Sequence, residues 1–147
     1  MKLPEYITAA EVKRVCTEIG LRDWSKIMEP AVAEEEAATI LKIVNTKGMD
    51  IPLQTFRQGL EVELEHGTRF EDANVTNNHP ILTGMIVIAH LKETMDYYER
   101  IDVAEVEGDL LKAVLSRNIE KIEAKYKQLI QARHVLNQSV ADQLQKL

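Results

Sequence analysis

The chain has 147 residues, 45% hydrophobic and 5% aromatic, with a net charge of −6. That length suits one domain with a real core. The acidic balance disfavours non-specific nucleic-acid binding. The longest apolar run, Met85 to Ala89, is too short to cross a bilayer.

A single cysteine, Cys16, excludes an internal disulfide and a thiolate zinc site. Its expected role is that of a small buried hydrophobe. Met1-Lys-Leu-Pro-Glu-Tyr has no apolar h-region, so an intracellular, cytoplasmic setting is expected. Charge is unevenly spread. Residues 51–108 carry four Lys/Arg against eleven Asp/Glu, and residues 109–147 carry seven against four. The basic tail reads as a solvated helix face, attracted to acidic segments of its own or a neighbouring chain.

Four Pro and six Gly leave little room for loops and favour helix. Thr8-Ala-Ala-Glu11 is a capping-box pattern that opens a short helix, and Gly20 closes it. Asp23 to Ile27 is a turn anchored by Trp24. Pro30 suits the first position of a second helix, which runs to about Thr46 and stops before Gly48. The run Glu34-Glu35-Glu36 sits in its first turns, where negative charge meets the positive end of the macrodipole.

Asp50 caps a third helix with Pro52 in its first turn; Leu53, Phe56, Leu60 and Leu64 keep helical spacing and Gly67 ends it. A polar loop, Thr68 to His79, follows. Asn77-Asn78-His79-Pro80 marks the start of a fourth helix reaching about Arg100, apolar nearly all round in its first half. Asp102-Val-Ala-Glu105 is a further cap pattern. The last helix extends to the C-terminus, with a break expected at Gly108.

From Leu115 the last helix carries Ile119, Ile122, Tyr126, Leu129, Arg133, Leu136, Val140 and Leu144, a seam for coiled-coil-like packing broken only by Arg133. A helix of that length outruns a small globular core, so its uncovered stripe is expected to bury against a second chain. Arg133 would then pair with a partner carboxylate at Asp142 or Glu123. The competing outcome is a hairpin with a turn near Asn137-Gln138-Ser139.

The residues that look like chemistry lie in Gly59-Leu-Glu-Val-Glu63-Leu-Glu-His66-Gly67 and Ala89-His90-Leu-Lys-Glu93-Thr-Met-Asp96-Tyr97-Tyr98. Helical residues three apart share a face, so Glu63 with His66, and His90 with Glu93, form two carboxylate–imidazole pairs on successive helices. Helical bundles build dimetal sites from such pairs. Mixed N/O ligation suits Zn, Fe or Mn. Glu65, Asp96 and Tyr97 are placed around the four ligands. His79 is expected to cap a helix end. The alternative is a buried polar network, in which each His is simply hydrogen-bonded. No phosphate loop and no nucleophile elbow appears.

These same residues resemble an uncharacterised bacterial and phage family, a domain of unknown function. It carries Gly-x-x-x-Glu-x-Glu-His-Gly followed by Ala-His-Leu-x-Glu-x-x-Asp-Tyr-Tyr. The chain supplies Gly59, Glu63, Glu65, His66 and Gly67, then Ala89, His90, Leu91, Glu93, Asp96, Tyr97 and Tyr98; Asn74-Val-Thr76-Asn77 between them is also similar. Family members often have Pro before Asp-Tyr-Tyr, where this chain has Met95. The resemblance covers about residues 50–101, and the tail from Gly108 falls outside it. It implies no activity, substrate or cofactor.

The expectation is an all-α protein: a bundle of about four helices over residues 1–107, with a family-like core at about 50–101, and a long amphipathic helix over 108–147. The leading function is binding of a divalent metal or small polar ligand at Glu63, His66, His90 and Glu93. The alternative is a non-enzymatic structural, oligomerising or adaptor protein of phage origin, in which the Glu/His cluster is only a buried polar network. In either case a homodimer through the C-terminal helix is expected, without membrane or nucleic-acid partners.

Overall fold

A computed structural model describes residues 7–145, and every described regular element is a helix or a helical turn. The chain forms two compact units, Met1–Glu93 and Thr94–Leu147. No helix among the described residues is long and apolar enough to cross a membrane.

The first unit holds α1 (Ala9–Ile19), a 3-10 turn (Trp24–Lys26), α2 (Glu34–Val44), α3 (Leu53–Arg69), a second 3-10 turn (Glu71–Ala73) and α4 (Pro80–Glu93). The ends of α1 are as the sequence predicts. Thr8 Oγ1 accepts from the Glu11 N–H at 3.1 Å. Gly20 takes the left-handed φ of 75° that lets its N–H reach back to the last carbonyls. α2, α3 and α4 pack on one another. Their core is Ala37, Ile40, Phe56, Leu60, Leu64 and Val87, and Val12, Cys16 and Trp24 continue it under α1. Gly84 is where α4 meets α2: a Cβ there would lie 2.6 Å from Ile40 Cγ2.

Several boundaries in this unit differ from expectation. α2 begins at Glu34 rather than Pro30, because Glu36 reaches back to accept the Ala33 N–H and fixes the first turn there. Pro52, not Asp50, occupies the residue before α3. α4 stops at Glu93 rather than Arg100.

The second unit is a hairpin of α5 (Tyr97–Leu115) and α6 (Ile119–Leu144). Its ion pairs, Glu107 with Arg133 and Asp109 with Lys125, show the two helices running antiparallel. Ala113, Leu129 and Ala132 fill the seam. Gly108 lies within α5 and breaks nothing. The break falls at Ser116–Asn118 instead, where Arg117 adopts a φ of 53° and its N–H bonds Val114 O at 2.9 Å. Asn118 then caps α6 through the Lys121 N–H at 3.0 Å. The long seam is therefore partnered in part by the chain's own α5, and α6 spans about 39 Å at 1.5 Å per residue.

Candidate functional site

α3 and α4 bring Glu63 and His90 together. The His90 Nδ1 lies 3.0 Å from Glu63 Oε1, and a carboxylate oxygen accepts, so the Nδ1–H is the donor. The Glu63 side chain is 13% exposed and that of His90 27%. One turn along α3, the His66 Nδ1 stands 4.0 Å from Glu63 Oε2, on a side chain 68% exposed. Two of the four expected ligands, His66 and His90, thus approach a third, the Glu63 carboxylate.

Glu93 is exposed at the end of α4 and stands outside this contact. Glu65 pairs with Arg69 at 2.6 Å instead. Among the described residues no group of three or more His, Cys, Asp or Glu is arranged to hold a metal ion.

Asp96 and Tyr97 belong to the second unit. Asp96 is buried and takes two hydrogen bonds from Arg100, at 2.9 and 2.6 Å, and one from the Thr94 hydroxyl. The Arg100 guanidinium holds its carboxyl below the ordinary range. Tyr97 packs edge-on against Tyr98.

Other motif residues are structural. Gly67 does not end α3; it is a place of close approach. A Cβ on it would lie 1.8 Å from Asn78 Oδ1 and 2.7 Å from Asn74 Nδ2. Asn74 Nδ2 donates to Asn78 Oδ1 at 3.1 Å, and Asn77 donates to the Ile7 carbonyl. Asn77 and Asn78 both have positive φ, a conformation that Asn tolerates better than most residues. His79 caps α4 as expected: its Nδ1 faces the Leu82 N–H at 3.4 Å, and burial pushes the imidazole pKa down.

A buried cluster around Glu36 goes beyond the dipole reading of the acidic run. Its Oε1 accepts from Trp24 Nε1 at 3.1 Å and pairs with Arg22 Nε at 3.2 Å, while Oε2 accepts from the Ala33 N–H. The signal available was a lone Trp twelve residues before the last Glu of an acidic run. The Cys16 Sγ accepts from the Trp24 N–H at 3.5 Å, and burial pushes its thiol pKa up. At the hairpin turn Lys112, Lys121 and Lys125 line a cleft of about 410 Å³ with Asp109 and Ser116.

A family model described as a protein of unknown function (DUF5661) matches residues 12–107. The chain belongs to this family. The match takes in α1 from Val12 onward, α2 to α4 and the first part of α5, including Glu63, His66, His90 and Gly67. Curated proteins and solved structures give no match to this DUF5661 chain.

Proposed function

We propose that this DUF5661 protein is a non-enzymatic assembly protein that forms a homo-oligomer through its α5–α6 hairpin, with Glu63 and His90 as an internal clasp between α3 and α4. One observation carries the reading. After the hairpin has closed, Ile119, Tyr126 and Ile130 remain 74%, 57% and 51% exposed on α6. Large apolar side chains exposed in a line are what an interface leaves when its partner is absent. The pair between α3 and α4 fits the clasp role, since half-buried polar groups on packed helices must be partnered. A reducing, cytoplasmic setting suits the buried Cys16 thiol. Light scattering on the full chain tests the reading: a mass of two chains or more is expected, and a monomer at every concentration contradicts it.

A second reading keeps a binding site at Glu63, His66 and His90 for a divalent metal (Zn, Fe or Mn) or a small polar ligand. The approach of two imidazoles to one carboxylate, at 3.0 and 4.0 Å, supports a small polar ligand more than a metal, since the three are not arranged to hold an ion. Elemental analysis of untagged protein, with His66→Ala and His90→Ala beside it, tests this. Bound metal lost in both variants supports the site; metal-free protein whose melting does not respond to added divalent ions excludes it.

A further inference from the structure

We infer that the partner seated on the hairpin is a second copy of this chain, related by a two-fold axis running along the helices, so that α5 of each copy lies against α6 of the other. This rests on the assembly reading above and adds the face and the two-fold geometry.

The face follows from register. On α6, Ile119, Tyr126 and Ile130 stand at i, i+7 and i+11; on α5, Val103, Leu110 and Val114 have the same spacing, so each set forms one line along its helix. The Glu107–Arg133 ion pair, at 2.6 Å, shows that both lines flank the same side of the seam. Glu107 falls between Val103 and Leu110 on its line, and Arg133 is one turn beyond Ile130. The opposite side carries Asp109 with Lys112, Lys121 and Lys125 and is strongly polar. One side of the hairpin thus carries both apolar lines, with Glu107, Glu123 and Arg133 set among them, and the other carries the Asp109–lysine cluster.

Charge selects the occupant and its orientation. α5 holds five acidic and two basic residues; α6 holds four basic and three acidic. A two-fold axis perpendicular to the helices would stack α5 on its own copy, acid on acid. An axis along them sets the acidic helix against the basic one, antiparallel at every neighbour, as in an ordinary four-helix bundle. It also brings Glu107 and Arg133 level with Arg133 and Glu107 of the second copy. The two pairs then form a ring of alternating charge around the axis. A half-exposed pair contributes little alone and more within such a network.

The full chain is examined by sedimentation equilibrium beside Tyr126→Asp, Ile130→Asp and the control Val135→Asp, whose exposed side chain lies in the cleft with His134 and Asp142. Circular dichroism checks that each variant keeps its helix content. The two face variants should weaken association at least tenfold, and the control should leave it unchanged. Independently of those variants, a Leu110→Cys chain mixed with a Tyr126→Cys chain should cross-link, while Leu110→Cys alone should not. Cys16 is buried and does not compete. A monomeric wild-type chain overturns the assembly reading and this inference together. A dimer that persists in both face variants leaves assembly standing and overturns this face. Cross-linking of Leu110→Cys with itself, or a species larger than a dimer, overturns the two-fold geometry.

Discussion

Gly67 on α3 and Asn78 before α4 are in direct contact, so close that a methyl group on Gly67 would fall 1.8 Å from the Asn78 side-chain oxygen. The loop between the helices is thereby pinned to the last turns of α3. Its asparagines hold the left-handed backbone that aims His79 at the start of α4.

Gly67→Ala should therefore destabilise the protein by about 1–3 kcal/mol, the usual cost of overpacking, because the nearest atoms belong to a fixed network. Gly108→Ala should do the opposite. Nothing lies within 4 Å of a Cβ at that position in α5, so it should gain about 0.5–1 kcal/mol of helix propensity. Thermal melts of the two variants check the contrast.

The Glu63–His90 clasp predicts coupling. Glu63→Ala and His90→Ala should each lower stability by about 1–3 kcal/mol, and the double variant should cost less than their sum, with an interaction of about 0.5–3 kcal/mol in a urea-denaturation cycle. His66→Ala, at a mostly exposed residue 4.0 Å from Glu63, should stay within about 0.5 kcal/mol of wild type. Full additivity of Glu63→Ala and His90→Ala would refute the clasp.

Glu36 joins the Trp24 turn to the start of α2. Glu36→Ala leaves the Trp24 indole N–H and the Ala33 N–H without their acceptor, which should cost about 1–3 kcal/mol. Trp24 is the one tryptophan and is fully buried, so its fluorescence reports directly. The emission should shift to the red in the folded variant; an unchanged spectrum and melting point contradict the assignment.

Two buried groups contribute to the response to acid. His79 is held neutral below its ordinary 6.5 by burial, and its cap of α4 needs an unprotonated Nδ1. As pH falls below 6.5 the unfolded chain takes up that proton first, so stability declines until the folded imidazole also titrates. Asp96 has its pKa lowered by Arg100. It stabilises the fold above 3.8, a contribution lost as pH falls below 3.8 and through its folded value. Urea denaturation across pH 3–7 should show both declines, and His79→Gln should flatten the upper one.

Where the sequence was legible, a local interaction wrote the signal. Thr8, Gly20, His79 and the apolar spacing of α3 and α4 each act within one turn of their own position. Gly67 and Gly108 look like helix stops in the sequence because a glycine marks space or a cap equally well, and only the neighbour decides which. The Ser116–Asn118 turn left no Gly or Pro to read; Arg117 takes the left-handed conformation that Gly ordinarily supplies. The seam from Leu115 to Leu144 was visible, but one apolar line cannot say whose helix covers it. In the hairpin Leu129 turns inward to α5 while Ile119 and Tyr126 stay outward, and Arg133 pairs with Glu107 of the same chain. The i, i+3 spacing places Glu63 and His90 each on one face of its own helix, but whether those faces meet depends on how α3 and α4 pack, which the loop between them does not fix. The exclusion of Glu93 depends on α4 ending at that residue.

The most direct test of the assembly account is sedimentation equilibrium of the full-length chain over a hundredfold range of concentration. The account predicts a two-chain species that dissociates on dilution, and a Tyr126→Asp chain that stays monomeric with its helix content intact. A wild-type chain that sediments as a single chain throughout would contradict it.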